Sequence, residues 1–309
     1  MLQDQIESLF DAPPVSYTAE HHALFTSFKN SLNRGTIRAA EPDPSSPTGW
    51  RTNAWVKKGI LLGFRVGSIV DMSVDSAKLP FFDKSTYPLH SFSAADGVRI
   101  VPGGSSIRDG AHIARGVICM PPMFVNVGAF VGENTMIDSH ALVGSCAQIG
   151  RNCHISAGSQ IGGVLEPVGA LPVIIEDDVV VGGNSGIYEG TIIKRRAVLG
   201  TGTILNRSIP VYDLVRDAVY SATGDQPLII PEDAVVIPGS RAVSHPAGKK
   251  WGLSLCCAVI VKYRDAKTGA RIQLEDFSAN SCPKHYPRSG HLKVARSLLK
   301  RRLPRRAFA

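Results

Sequence analysis

The 309-residue sequence contains no long apolar run, since no stretch approaches the roughly 20 residues that a membrane-spanning helix needs. Its first residues, MLQDQIESLF, lack the basic and apolar regions of a secretory signal. Charged residues make up only 19%, while hydrophobic residues reach 44% and mean hydropathy is +0.04, which excludes a disordered or fibrous chain. We therefore expect a soluble, cytoplasmic protein with no membrane segment.

Cysteine is scarce and shows no organised spacing. The sequence has no CxxC pair and no histidine partner at zinc spacing, so neither a disulfide framework nor a metal site is predicted. The expected role is that of small apolar side chains with reduced thiols. The six residues are Cys119, Cys146, Cys153, Cys256, Cys257 and Cys282.

Acidic residues are missing from one part of the chain only. Residues 283–309 carry nine basic residues and no acidic one, whereas residues 1–282 hold 25 basic against 26 acidic, so the net charge of +8 comes from this tail. The tail lacks the interleaved aromatic side chains of a base-stacking surface and contains a proline that interrupts a helix. We expect a disordered appendage and no nucleic-acid partner.

A β-branched or similar apolar residue recurs every six positions through the middle of the sequence. A second set of mostly small residues follows each of these by four positions, as Ala129 follows Val125 and Ala147 follows Val143. After a break at EPVGALPV the pattern resumes. The first set is Val101, Ile107, Ile113, Cys119, Val125, Val131, Ile137, Val143, Ile149, Ile155, Ile161, Ile175, Val181, Ile187, Ile193, Leu199 and Leu205.

A period of six fits strands and not a helix. At about 100° per residue, helical positions six apart point in three directions, whereas six is a multiple of the strand period of two, so both sets face the same side. Glycine or asparagine after each short strand indicates turns. The pattern predicts a chain that coils and stacks each strand on its counterpart one turn later, which is a parallel β-helix.

The flanking segments predict three further parts. Residues 1–40 and 53–67 have apolar residues at helical spacing, and 251–276 alternates in two strand-like runs around DAKTG, with Gly269 in a hairpin turn. We expect an N-terminal mainly helical domain over 1–98, the β-helix over 99–212, a C-terminal β unit over 213–280 and the basic tail over 281–309.

Several blocks resemble the tetrahydrodipicolinate N-succinyltransferase family of hexapeptide-repeat acyltransferases. The resemblance covers about residues 5 to 280. It lies in NAWVKKGILLGFR (53–65), VRIVPG (98–103), TMIDSHALVGSCAQIG (135–150), IGGVLEP (161–167) and LCCAVIVKYRDAKTG (255–269).

The resemblance implies a fold, an assembly and a reaction. It implies a left-handed β-helix with three hexads per coil, hence five to six coils from seventeen hexads, and a homotrimer with sites between subunits. The implied reaction moves a succinyl group from succinyl-CoA, a co-substrate, to the amine of ring-opened tetrahydrodipicolinate in diaminopimelate and lysine biosynthesis. No permanently bound cofactor is expected.

Two residues match the family's substrate contacts. Arg99 matches an arginine that binds a substrate carboxylate, and its guanidinium can grip that group with two hydrogen bonds. Asp138 matches a substrate-contacting aspartate, and its place after an inward hexad residue points it away from the coil interior. The alternatives are a surface arginine in an ion pair and an ordinary turn aspartate.

Two departures from the family pattern bear on catalysis. The family's acidic residue after a serine is Gly186 here, so Glu189 is the remaining acidic candidate nearby. The family's Asp-Thr-Trp becomes Asp138, Ser139 and His140. His140 either acts as a general base, a role that suits imidazole at neutral pH, or only fills the place of a bulky residue.

The resemblance also implies that coenzyme A lies along a groove between neighbouring β-helices, where small residues permit its close approach. Ser156, Gly158 and Gly182 are the candidates for close approach of the pantetheine arm, and Lys249 or Lys250 for the phosphates.

Two other functions stay open. The first is a paralogue in secondary metabolism, resembling the tabtoxin-type acyltransferases, that uses acetyl-CoA or a changed acceptor; the loss of the acidic residue and the presence of His140 favour it somewhat. The second is a non-catalytic β-helix that binds through its basic tail, which the motif contexts of Arg99 and Asp138 disfavour.

Overall fold

The computed structural model describes residues 1–224 and 226–265. The basic tail, Cys282 and the turn predicted at Gly269 lie outside the described residues. Within the described ranges, no helix has the length and apolar character required to cross a membrane.

The N-terminal part is built from three helices that share one apolar core. Ile6, Phe28 and Ile60 are fully buried there. Gly59 permits the close approach of two helices, because a Cβ at this position would lie 2.4 Å from the Phe28 ring. The helices are α1 (Leu2–Asp11), α2 (Ala19–Asn33) and α3 (Ala54–Val66), and the short strands are β1 (Ala40–Pro42), β2 (Trp50–Thr52), β3 (Ile69–Asp71) and β4 (Phe82–Lys84).

The central part is a three-sided parallel β-helix of short strands, which confirms the predicted fold class. Its first face carries β5 (Arg99–Ile100), β8 (Ile118–Cys119), β11 (Met136–Ile137), β14 (His154–Ile155), β17 (Val180–Val181), β20 (Val198–Leu199) and the start of β25 (Ala234–Ala242). Its second face carries β6 (Ser106–Ile107), β9 (Phe124–Val125), β12 (Leu142–Val143), β15 (Gln160–Ile161), β18 (Gly186–Ile187) and β21 (Ile204–Leu205). Its third face carries β7 (His112–Ile113), β10 (Phe130–Val131), β13 (Gln148–Ile149), β16 (Ile174–Ile175), β19 (Ile192–Ile193) and β24 (Ile229–Ile230).

The hexad residues face inward as predicted, with one correction at the start. From Ile107 to Leu205 every member of the first set is buried. At the first coil, however, Ile100 and not Val101 pairs with Cys119, so the register begins one residue earlier than the spacing indicated. In the second set, Leu165 leaves the β-helix and packs against the N-terminal core. The apolar coil interior is therefore continuous over the rest of the stack.

The chain turns at three corners, and each corner repeats along the stack. We call the corner between the first and second faces the first corner, and that between the second and third faces the second corner. Residues that turn there often have positive φ, as Gly158 (70°) and Asn184 (55°) do at the first corner. Equivalent residues in successive coils lie above one another, because Gly158 N donates to Ser139 O and Asn184 N donates to Ala157 O, each at 2.9 Å.

The C-terminal β unit closes the last coils. It comprises β22 (Val211–Asp213), β23 (Ala218–Tyr220), α4 (Pro246–Lys250) and β26 (Ser254–Tyr263). The strand run predicted from residue 251 is β26, and it pairs antiparallel with β25. The buried Asp213 accepts a hydrogen bond from the Tyr263 hydroxyl at 2.6 Å.

A loop at residues 162–173 leaves the β-helix at the second corner, between β15 and β16. The ammonium of the fully buried Lys57, on α3, donates a hydrogen bond to Ala170 O at 2.5 Å. Loss of hydration lowers the pKa of Lys57 from its ordinary value. One buried charge thus ties the loop to the N-terminal core.

We expect Lys57→Met to change how stability depends on pH. Because the folded-state pKa of Lys57 is lowered, the unfolded chain binds more protons between that value and the ordinary 10.5, so the Lys57 contribution to the free energy of unfolding rises with pH in that window. Urea unfolding at several pH values should show a smaller rise in Lys57→Met than in the wild type. The neighbouring Lys58→Met, which removes an ammonium paired with Asp11, is the control and should keep the wild-type rise. Equal slopes in all three proteins would contradict this account of Lys57.

Candidate functional site

The first corner brings together five of the residues predicted from the sequence. Asp138, Ser156 and Gly182 occupy the same position in three successive coils, because Asp138 N donates to Ile155 O (2.9 Å) and Ser156 N donates to Val181 O (3.0 Å). His140 and Gly158 stack beside them in the adjoining turn. Residues spread over 45 positions of sequence therefore form one strip along this edge of the β-helix.

Asp138 is held in place by its own turn. Its Oδ1 accepts a hydrogen bond from the Ser139 amide at 2.7 Å, and 29% of its side chain is exposed. The other oxygen, Oδ2, lies 3.5 Å from Nε2 of His154. The carboxylate is therefore fixed on one side and open to a ligand on the other.

His154 lies beside Asp138 and was not predicted from the sequence. It points outward from β14, pairs with Met136 of β11, and thereby lies diagonally across from Asp138. Side chains at such diagonal positions of neighbouring strands can reach one another when they are long or aromatic. The strand register could have indicated this contact. A coil of 18 residues places residue 156 beside Asp138, and residue 154 is two positions before residue 156 on the same strand.

His140 lies at the turn of the first corner with an exposed side chain. Its φ is 61°, and its backbone amide donates to Pro122 O. The corresponding turn residues in the next coils are Gly158 and Asn184. The imidazole thus projects at the same edge as the Asp138 carboxylate, where it can meet a ligand bound there.

Arg99 stands at the beginning of the same face. It is exposed on β5 and pairs with Ile118, which in turn pairs with Met136. Two strand spacings of about 4.8 Å therefore separate its backbone from β11, the strand that precedes Asp138. An exposed guanidinium and a carboxylate lie along one outward surface.

Glu189 lies at the second corner, away from Asp138 within the chain. It belongs to the turn after β18, two coils beyond Asp138, and its Oε2 accepts a hydrogen bond from the Arg207 amide at 2.9 Å. It borders a cavity of about 970 Å³ that the 162–173 loop also lines, together with Trp50 and Tyr188. Within a single chain, the structure does not bring Glu189 together with Asp138.

The Tyr188 ring packs directly against Gly186 and leaves no room for a side chain there. A Cβ at Gly186 would lie 2.5 Å from Cε2 of Tyr188 and 2.7 Å from its hydroxyl oxygen. The ring also covers Gly162, where a Cβ would lie 2.9 Å from Cδ1. A side chain at position 186 and the present position of the Tyr188 ring therefore exclude one another.

The glycines expected at the coenzyme have structural reasons of their own. A Cβ at Gly182 would lie 2.6 Å from Leu199 O, and one at Gly158 would lie 2.4 Å from the Asn184 side chain. Close backbone stacking therefore accounts for Gly182, whereas at Gly158 the near atom belongs to a side chain, and the equivalent turn residues His140 and Asn184 are not glycine. Lys249 and Lys250 are exposed at the end of α4 in the C-terminal unit. Within residues 1–224 and 226–265, no cluster of three histidine, cysteine or acidic side chains could hold a metal ion.

Comparisons with known proteins agree with this architecture. Residues 1–66 match the model "Tetrahydrodipicolinate N-succinyltransferase N-terminal", residues 128–163 match "Bacterial transferase hexapeptide (six repeats)", and residues 172–207 match "Hexapeptide repeat of succinyl-transferase". The repeats and the three-sided β-helix define a hexapeptide-repeat transferase.

Two individual relatives indicate which family of hexapeptide-repeat transferases this chain resembles. The chain is 43% identical over 254 residues to the 2,3,4,5-tetrahydropyridine-2,6-dicarboxylate N-succinyltransferase of Xylella fastidiosa strain 9a5c, covering 80% of this chain and 85% of that protein. It is 38% identical to the protein of that name from Polynucleobacter asymbioticus, covering 90% and 96%. The chain therefore belongs to the tetrahydrodipicolinate N-succinyltransferase family. A hexapeptide-repeat acetyltransferase of Vibrio cholerae, solved with acetyl coenzyme A, is 16% identical with a TM-score of 0.31 and covers 84% of this chain and 99% of that one.

Proposed function

We propose that this chain transfers a succinyl group from succinyl-CoA to the amine of ring-opened tetrahydrodipicolinate, a step of diaminopimelate and lysine biosynthesis. The observation that carries the proposal is the 43% identity over 80% of the chain to a relative that bears the succinyltransferase name. Asp138, which carries the family's motif, lies at an open edge with one carboxylate oxygen free of backbone contacts.

Transfer of an acyl group from a thioester to an amine requires that the protein position the two reactants and accept a proton from the amine. The acceptor amine must lose a proton, attack the thioester carbonyl carbon and expel the thiol, which positioning and general base catalysis can accelerate without a covalent intermediate. Asp138 orients the amine, and Arg99 binds a carboxylate of the acceptor. Ser156, Gly158 and Gly182 offer backbone groups to the pantetheine arm, and Lys249 or Lys250 meets the phosphates. No permanently bound cofactor takes part.

We place the complete site between subunits of a homotrimer. Asp138 lies on a convex edge, which cannot by itself enclose a ligand, and Glu189 lies at another corner of the same chain. A second copy that presents its second corner to the first corner of its neighbour brings the two acidic residues together. The cavity beside Glu189 then becomes part of the enclosed site.

Mixing two inactive variants tests this arrangement. We expect Asp138→Asn and Glu189→Gln each to be nearly inactive, because each removes one charge from a shared site. After the two are unfolded together and refolded, about a quarter of wild-type activity should return, since random assembly leaves that share of sites with both residues intact. Each variant refolded alone is the control. A mixture as inactive as its components contradicts a shared site.

A second candidate uses acetyl-CoA or a different acceptor. The observation that favours it is the contact of Tyr188 with Gly186, because the tyrosine ring occupies the space into which the family's acidic side chain would project. Such a change alters the charge of the surface that meets a ligand. This candidate corresponds to a paralogue in secondary metabolism.

Steady-state assays of the purified protein decide between the two. Thiol release is measured with succinyl-CoA and with acetyl-CoA against 2,3,4,5-tetrahydropyridine-2,6-dicarboxylate. A higher kcat/KM with succinyl-CoA supports the main proposal, and a higher value with acetyl-CoA supports the second. Thiol release that does not depend on the acceptor contradicts both. The cytoplasmic location stays a prediction.

A further inference from the structure

The Nε2 atom of His154 is buried, and Oδ2 of Asp138 is the polar atom that lies beside it. Nε2 is inaccessible to solvent and, among the residues that the structure describes, accepts or donates no hydrogen bond. Oδ2 of Asp138 lies 3.5 Å away, just beyond a good hydrogen bond, while Oδ1 is already occupied by the Ser139 amide. Leaving a buried polar nitrogen unpaired is costly, so this placement needs a reason.

The elements around β14 leave Asp138 as the charged group that faces His154. On one side, β11 presents Met136 and then Asp138. On the other side, β17 presents Val180, which pairs directly with His154. Asp178, in the turn before β17, is turned toward Asn152, whose Nδ2 donates to its Oδ1 at 3.2 Å. His140 is the other titratable side chain of the first corner, in the turn after Asp138.

We infer that His154 is a positioning residue that holds a proton for Asp138 during transfer to the acceptor amine. This inference rests on the proposed function. A carboxylate alone is a weak base at neutral pH, whereas imidazole takes up a proton there. In this arrangement Asp138 contacts the amine of the acceptor, and His154 contacts Asp138 but not the acceptor.

The transfer releases one proton overall. The acceptor ammonium gives one proton through Oδ2 to Nε2, the amine forms the C–N bond to the thioester carbonyl carbon, and the C–S bond breaks. The second proton of the attacking nitrogen passes to the sulfur of coenzyme A, and the imidazole of His154, whose side chain is 42% exposed, releases one proton to solvent. The products are the amide, the free thiol and one proton.

His154→Gln tests this role by kinetics. Glutamine keeps a group that can reach Oδ2 but takes up no proton, so we expect kcat with succinyl-CoA to fall about 10²-fold. KM for succinyl-CoA should change by less than about twofold, and the limb of the kcat profile between pH 5 and 8 should disappear. Wild-type kcat with an unchanged pH profile in His154→Gln would overturn the inference.

His112→Gln is the matched control. His112 also points outward from the β-helix, but on β7, where its Nδ1 lies 2.8 Å from Asn33 O and its ring stacks on Phe130. Its substitution should lower the melting temperature and leave the pH profile unchanged. If His112→Gln and His154→Gln alter the pH profile alike, the effect is not specific to the pair and the inference fails.

A substrate-free measurement separates this inference from the proposed function. The ring signals of His154 are compared by NMR in the wild type and in Asp138→Asn at one neutral pH. They should differ between the two proteins, because the carboxylate whose Oδ2 lies 3.5 Å from Nε2 is replaced by an amide. Identical signals overturn the pair. If the wild type transfers no succinyl group, the proposed function fails, and this comparison still decides whether Asp138 and His154 interact.

Discussion

Asp138→Asn should lower kcat by roughly 10²–10⁴-fold, the usual contribution of a positioned acid–base group. Asparagine keeps the shape of the side chain and an oxygen for the Ser139 amide, so the turn at the first corner persists. The substitution removes the negative charge that orients and deprotonates the acceptor ammonium. Steady-state kinetics with saturating succinyl-CoA and acceptor, together with an unchanged circular dichroism spectrum, measure the effect. Full activity in Asp138→Asn would refute the assignment.

His140→Phe is the comparison that separates two roles at the same corner. If His140 is the base, phenylalanine should cost a factor comparable to Asp138→Asn and remove a pH–rate limb in the range where imidazole titrates. If it only fills space, phenylalanine should be tolerated. His140 has a φ of 61°, a left-handed conformation that histidine adopts more readily than phenylalanine, so a circular dichroism spectrum and a melting temperature accompany the kinetics. Activity in His140→Phe would leave Asp138, with His154 behind it, as the proton acceptor at this edge.

Ile149→Asp should prevent the protein from accumulating in soluble form. Ile149 is fully buried on the third face, where it pairs with Val131 in one neighbouring coil and Ile175 in the other. An aspartate there places an unpaired carboxylate in an apolar stack, at a cost of about 5 kcal/mol or more, which is comparable to the whole stability of a domain. Soluble yield and circular dichroism of the purified variant measure the effect.

Ile204→Asp makes the same chemical change at an outward position. Ile204 is 40% exposed on β21, next to the inward Leu205. We expect this variant to be soluble with a wild-type spectrum, because the carboxylate keeps its water. Soluble Ile149→Asp with the wild-type spectrum would show that Ile149 does not line the coil interior.

The coil interior could be predicted from the sequence because it depends on a local rule. Strand alternation and a period of six determine which side chains face inward, and residues such as Ile137 and Ile187 are fully buried as that rule requires. The rule failed at its edges. At the first coil no preceding strand holds the register, so Ile100 takes the place expected for Val101. In the 162–173 loop, Leu165 packs against the N-terminal core and not inside the coil.

The site could be predicted only in part because its contacts cross coils. The motifs predict Asp138 and Arg99, whereas His154 carries no motif and lies 3.5 Å from Asp138 of the preceding coil. Glu189 follows Gly186 by only three residues but lies at a different corner from Asp138, since each six-residue step turns the chain onto a new face. The hydrogen bond between Lys57 and Ala170 joins residues 113 positions apart, so no local sequence pattern could predict it.

The stacked strands of the first face act as a molecular ruler. Arg99 and the strand that leads to Asp138 are two pairing steps apart, and each step has the fixed length of a backbone hydrogen-bond spacing, about 4.8 Å. Side-chain substitutions cannot change that interval gradually. Only the insertion or deletion of a complete 18-residue coil would change it, by a whole step. On the roles proposed for Arg99 and Asp138, acceptors would be discriminated by the distance between their carboxylate and their amine, in increments that the backbone sets.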